Sequence, residues 1–243
     1  MPTRFAMQQN SISILSTRPL PASVIETAAL QGIDIDIQSF IETEPIQSIE
    51  VQQEIEQALL RSATIIFTSM NAVEAVALFI TEEVPDWRIY CMGQTTQDLV
   101  KKYFGAAAIA ATANNAAELA QLVVGEERDD EVIFFCGDQR RDELPDMLNS
   151  NGIEVTEIIV YHTIATPQVV KKTYNGILFF SPSAVDSFFN KNKTGKQTML
   201  FAIGGTTAAA IKKHTTGSII TSDMPGKERL VEKAINYFVN NER

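Results

Sequence analysis

Phe179-Phe180-Ser181-Pro182-Ser183-Ala184-Val185-Asp186-Ser187-Phe188-Phe189 is the stretch from which the rest of the chain can be read. The apolar run Gly176–Phe180 predicts a buried strand that breaks at Ser181-Pro182 and restarts as a helix. Ser183 is placed to cap that helix, with Asp186 three residues on as a capping-box acid. A strand that ends in a hydroxyl-rich turn and opens a helix presents free backbone N–H groups and the positive end of a dipole. At the carboxyl edge of a parallel sheet, that is a candidate anion seat.

The same device occurs earlier in the chain. Phe67-Thr68-Ser69-Met70-Asn71-Ala72-Val73-Glu74 follows the expected strand Thr64-Ile65-Ile66, with Asn71 as cap and Glu74 three residues on. Ser69 and Ser181 are 112 residues apart. Met92-Gly93-Gln94-Thr95-Thr96 matches Ile203-Gly204-Gly205-Thr206-Thr207 at an offset of 111, and Leu119 matches Leu230 at the same offset. Registers that agree within one residue mark an internal duplication.

Read in order, strands and helices alternate. A strand at Ile12–Leu15 ends in Ser16-Thr17-Arg18-Pro19, a helix over 22–31 stops at Gly32, and a second strand covers 33–40. A polar connector, 42–48, holds Pro45, and an amphipathic helix follows over 49–60. Strands at 64–67, 88–92 and 107–111 alternate with helices at 72–80, 96–104 and 116–124. The acidic run Glu126–Glu131 reads as a solvated turn. The unit over 132–161, with Arg140 and Arg141 in its turn and Gly152 after its helix, echoes 12–40 at an offset of 120 between Gly32 and Gly152. One β-α-β unit plus one run of three strand–helix units makes a five-stranded parallel sheet with helices on both faces. Short connections join neighbours in space, so 64–124 pairs with 132–161 and 12–40 with 177–239. The expected class is therefore α/β, two flavodoxin-like lobes joined by a two-segment linker. Residues 1–41 with 163–243 form a discontinuous first lobe and 42–162 an inserted second one. The linkers fall near 41–48 and 160–168, a natural hinge.

Composition narrows the function. The net charge is −10, which argues against nucleic-acid or membrane-surface binding. Residues 42–165 carry 22 acidic and 7 basic side chains, leaving 8 acidic and 13 basic elsewhere, so the charge splits along the same partition. Met1–Ser13 has no apolar core of a signal peptide and no run reaches a membrane span, so a soluble cytoplasmic protein is expected. Cys91 and Cys136 lie in or at the ends of strands and are expected as buried reduced thiols. His162 and His214 are far apart in sequence, which leaves a metal site little to work with.

Taken together, these motifs resemble the uroporphyrinogen-III synthase family over nearly the whole chain. The resemblance is carried by Ser16-Thr17-Arg18-Pro19, Phe67-Thr68-Ser69-x-Asn71-Ala72-Val73, Gly93-x-x-Thr96, Val160-Tyr161-x-Thr163, Phe180-Ser181-Pro182-Ser183-Ala184-Val185 and Ile203-Gly204-x-Thr206-Thr207-Ala208. Pro225 before the last helix also fits, while Gln97 and Gly226 depart from the usual residues. The family implies a bilobed enzyme that closes hydroxymethylbilane into uroporphyrinogen III with inversion of ring D. It implies no cofactor and no metal, and a monomer with a small-molecule substrate is the expectation.

Such a substrate carries eight carboxylates, so its site must be rich in donors. The turns at Ser69–Ala72, Gln94–Thr96, Ser181–Ala184 and Gly205–Thr207 offer N–H groups without net charge. The candidate binding residues are Arg18, Ser69, Asn71, Thr96, Ser181, Ser183, Thr206 and Thr207. The competing reading is that the hydroxyls only cap helices, worth about 1 kcal/mol each, and that Arg18 forms a structural ion pair. Arg140 and Arg141 read as surface groups. Tyr161, which the resemblance matches to a family tyrosine, is the candidate proton donor to the departing hydroxyl; a core tyrosine with a satisfied hydroxyl is the alternative. A non-catalytic two-lobed module for an anionic small molecule is the rival function.

Overall fold

The computed structural model describes residues 12–81, 84–125, 131–223 and 226–241. Pro225, all but the last two residues of Met1–Ser13, and all but the last of the acidic run Glu126–Glu131 lie outside the described residues.

The chain begins with β1 (Ile12–Ser16), α1 (Ala22–Ala29), β2 (Ile33–Ile37) and β3 (Ile41–Pro45). Its middle runs α2 (Ile49–Leu59), β4 (Ala63–Phe67), α3 (Met70–Ala77), β5 (Trp87–Met92), α4 (Gln94–Phe104), β6 (Ile109–Ala113) and α5 (Ala116–Val124). Then follow β7 (Glu131–Gly137), α6 (Glu143–Ser150) and β8 (Glu154–Ala165). The last part holds β9 (Gly176–Phe179), α7 (Pro182–Lys191), β10 (Met199–Ala202), α8 (Gly205–His214), β11 (Ile219–Thr221) and α9 (Lys227–Asn241).

These elements form two compact units, Met1–Glu42 with Ala165–Arg243, and Thr43–Ile164. The first contains a five-stranded sheet in the order β2-β1-β9-β10-β11, with every described pairing parallel. In order along its own chain, that is the doubly wound 2-1-3-4-5 arrangement. The second contains the parallel strands β8-β7-β4-β5-β6. Counted from β7, this is again 2-1-3-4-5, with the β-α-β unit placed after the three strand–helix units instead of before them. The duplication is thus expressed twice in space, once in permuted order. Gly32 and Gly152 both end a helix at positive φ, 77° and 82°, the left-handed turn that only glycine adopts freely.

The second sheet has a sixth strand that the sequence reading misses. The connector expected over 42–48 is in part β3, which lies at the edge beside β8. Thr166 N–H donates to Phe40 C=O and Ile46 N–H to Val160 C=O, each at 2.9 Å, so the two segments run in opposite directions. Polar Glu42 and Glu44 and the terminal Pro45 are what an exposed edge strand tolerates, and no apolar pattern betrays it. β6 starts two residues later than the expected strand, after a single 3₁₀ turn at Ala106–Ala108.

Alternation along the strands sorts the core of each unit into two layers. In the second unit Ile65 and Phe67 of β4 and Ile133 and Phe135 of β7 pack with α2, α3 and α4. Ile66, Val132, Phe134 and Cys136 point the other way, to α5 and α6. In the first unit Ile12 and Ile14 face α1 and α9, while Leu15, Ile177 and Phe179 face α7 and α8. Burying each such side chain contributes roughly 1.5–3 kcal/mol, and this fixes the strands rigidly enough to aim what their carboxyl ends carry. Cys91 and Cys136 are free and buried.

Candidate functional site

The candidate binding residues sit where a parallel strand turns into a helix or in the first turn of that helix, while Tyr161 lies within β8. Ser69 is the cap of α3, with extended backbone (φ −141°, ψ 137°), and its Oγ accepts the Asn71 N–H at 3.2 Å. Asn71, expected as cap, is the second helical residue. Ser181 caps α7, its Oγ accepting the Ala184 N–H at 3.1 Å. Ser183, expected as cap, is the second helical residue, its Oγ 3.1 Å from that of Ser181. The reason is Pro182. Its fixed φ and missing N–H suit the first helical position, which draws the helix start back to Ser181. Asp186 is accordingly no capping-box acid; its Oδ1 lies 2.6 Å from Nε2 of His214, whose ring stacks on Phe189 at 4.9 Å and 6°.

α4 and α8 open differently. Gly93 and Gly204 precede them and supply no side-chain cap. A Cβ built at Gly93, Gly204 or Gly205 would meet nothing within 4 Å, so the approach to the start of each helix is clear of neighbouring side chains. Thr206 is exposed there. Thr96 and Thr207, each the third residue of its helix, are turned inward at 5% and 0% exposure. The Thr207 hydroxyl has no hydrogen-bond partner among the described residues.

The structure brings Ser69, Asn71 and Tyr161 together within Thr43–Ile164. The Tyr161 hydroxyl donates to Ser69 Oγ at 3.1 Å. Burial pushes the phenol above its ordinary value, opposed by its hydrogen bonds to Ser69 and Asn71. It therefore stays protonated at neutral pH. Ser69 Oγ accepts from both Tyr161 and the Asn71 N–H, which uses both its lone pairs and leaves its own O–H as a donor.

Arg18, Ser181, Ser183, Thr206 and Thr207 belong to the other unit. The Arg18 turn is built tightly: Ser16 Oγ donates to the Arg18 carbonyl at 2.6 Å, and Thr17 donates through both N–H and Oγ1 to the Leu178 carbonyl. Sequence reasoning missed Lys227, the first residue of α9. Burial and then the nearby Arg18 guanidinium lower its pKa. A cation at a helix N-terminus opposes the dipole, a signal that could have been read from Gly226-Lys227. Arg140 is held in an ion pair, bonding Glu157 through two nitrogens and also Asp142. Among the described residues no group of three His, Cys, Asp or Glu side chains could hold a metal ion, and no helix is long and apolar enough to cross a membrane.

A family model described as uroporphyrinogen-III synthase HemD matches residues 23–232. No curated protein sequence matches the chain. Among solved structures, a mutant uroporphyrinogen III synthase from the extremely thermophilic bacterium Thermus thermophilus superposes with a TM-score of 0.63 at 13% identity, covering 96% of this chain and all of that one. The uroporphyrinogen-III synthetase of Helicobacter pylori 26695 gives 0.64 at 16% identity, covering 93% of this chain and 99% of that one. At such identities the structural likeness speaks to the fold, and the family model to the family.

Proposed function

The chain belongs to the uroporphyrinogen-III synthase family, and from that membership we propose that it cyclises hydroxymethylbilane to uroporphyrinogen III, expelling water and inverting ring D. The step is a carbon–oxygen lyase reaction. It is redox-neutral, so it calls for no oxidant or reductant, and we assign it no cofactor and no metal. The protein acts as a cytoplasmic monomer on a small-molecule substrate.

The terminal hydroxyl leaves as water after taking one proton, and a delocalised azafulvene cation remains. The substituted carbon of ring D attacks it, the spiro intermediate rearranges, and ring D loses a proton as it regains aromaticity. The donated and released protons balance. What the protein must supply is a proton at the leaving hydroxyl and a fixed placement of ring D; positioning alone is worth several kcal/mol.

Tyr161 serves as the proton source, directly or through the Ser69 hydroxyl. One observation carries this reading: the neutral phenol donates at 3.1 Å to a serine that has its own proton left to give. We assign recognition of the carboxylates to Arg18, Ser69, Asn71, Ser181, Ser183 and Thr206 and to the backbone N–H groups that begin α4 and α8. Thr96 and Thr207 serve from behind, as the buried third residues of those helices. Turnover of hydroxymethylbilane by Tyr161→Phe, with the product isomers separated, tests the assignment. General acid help is typically worth roughly 10²–10⁴-fold, and formation of the III isomer should slow by about that factor. Turnover near wild type would remove Tyr161 from the chemistry.

A further inference from the structure

Tyr161 occupies a face of its sheet that strict alternation along β8 denies it. Val155 packs in the layer under α5 and α6, while Ile158 and Val160 pack in the opposite layer under α3. Successive strand residues point to opposite faces, so Tyr161 should return to the side of Val155. It packs instead against the same layer as Val160. The cause is a break in register: Cys136 pairs with Ile159, but the next residue, Gly137, pairs with Tyr161. Two residues of β8 oppose one of β7, a bulge of the kind that re-aims a side chain. It turns the phenol to where Ser69 caps α3.

The ring that the bulge brings round lies directly on Gly137. A Cβ built there would fall 2.3 Å from Tyr161 Cζ, 2.6 Å from Cε2 and 2.7 Å from the hydroxyl oxygen. The backbone on either side gives no slack. Asp138 N–H donates to the Tyr161 carbonyl at 3.2 Å, and Asp138 Oδ1 accepts the Thr163 N–H at 2.9 Å. Asp138 Oδ2 also meets His162 Nδ1 at 3.2 Å. With the strand pinned through Asp138, any side chain at residue 137 must displace the phenol rather than the main chain.

We propose that Gly137 is a positioning residue of the reaction: together with the bulge at Val160–Tyr161 it seats the Tyr161 hydroxyl on Ser69, and no residue with a side chain can replace it. The catalytic consequence rests on Tyr161 being the proton source; the seating itself does not. The stretch Cys136-Gly137-Asp138-Gln139-Arg140-Arg141 reads only as a strand end and turn, because the partner of Gly137 lies 24 residues on and one register step out of phase.

The test uses the full-length protein labelled with tyrosine carrying ¹³C at Cζ, the Tyr161 resonance being the one lost in Tyr161→Phe. In Gly137→Ala that resonance should move and its alkaline titration should fall toward that of a free phenol. kcat should drop about 10–100-fold, as for a reacting group misplaced by an ångström, with KM changing much less. Adding Gly137→Ala to Tyr161→Phe should cost little more, since the two act through one hydroxyl. An unmoved Tyr161 resonance in Gly137→Ala overturns the seating. A moved resonance with full turnover in both Gly137→Ala and Tyr161→Phe overturns the catalytic consequence and the proton-source reading together. If Gly137→Ala alone does not fold, Gly137→Ala combined with Tyr161→Leu, which shortens the opposing side chain, should fold; failure of that pair where Tyr161→Leu folds also overturns the seating.

Discussion

The phenol, the serine and the threonines differ in what one substitution should reveal. Ser69→Ala removes the acceptor of the Tyr161 hydroxyl and the cap of α3 at once. If the proton passes through Ser69, kcat should fall nearly as far as in Tyr161→Phe; a loss confined to about 1 kcal/mol of stability would mean that Tyr161 donates directly. Thr207 poses the opposite case. Its hydroxyl is fully buried and unpartnered among the described residues, and leaving such a group unmade costs about 1–3 kcal/mol. Thr207→Val keeps the shape and drops the hydroxyl. Urea unfolding should show unchanged or higher stability, and KM should hardly move. The thiols set a pH dependence. Burial pushes Cys91 up to about 11 and Cys136 up to about 12. Both are raised, so the folded state holds these protons more tightly than the unfolded one. Their contribution is complete below an unfolded thiol pKa of about 8.5 and is lost as pH climbs toward 11–12. The urea midpoint should therefore fall between about pH 8.5 and 11, and fall less steeply in Cys136→Ala.

Helix starts carry the electrostatics of the proposed site, and they come in two kinds. α3 and α7 are capped by serine side chains, whereas α4 and α8 follow glycine, which supplies no side-chain cap. A side-chain cap satisfies part of a helix start, and a start without one suits an anion. Ser181→Ala should cost about 1 kcal/mol of stability and raise KM modestly, because the backbone donors remain. Replacing Gly205 by aspartate, which puts a carboxylate at the mouth of α8 where a Cβ meets nothing, should leave the fold intact and raise KM much more. A KM unchanged by that substitution would detach α8 from substrate binding.

At the scale of the molecule, two copies of one architecture are written in different chain orders. The unit Thr43–Ile164 is continuous in sequence and has two core layers of its own. Expressed alone it should unfold cooperatively in urea, with an m-value roughly half that of the whole chain, since m scales with the surface exposed. A broad, non-cooperative transition would show that its stability depends on the remainder.

Periodicity determined the α/β class and the turns at Ser69, Gly93, Ser181 and Gly204, because each depends on residues within one or two turns of each other, and the constant offset of 111–112 residues determined the duplication. The hydroxyl-rich turns are legible for the same reason, although the caps are Ser69 and Ser181 and not Asn71 and Ser183; at α7 the cause is Pro182, which takes the first helical position. Only the tertiary structure decided that 41–45 is a strand, since that follows from backbone pairing with a segment some 120 residues away and not from its own side chains. The same holds for Lys227 beside Arg18. It holds most for Tyr161, whose face depends on a register step between β7 and β8 and on the bare Cα of Gly137 beneath its ring. Local propensity sets which elements form; pairing between distant strands decides where their side chains point.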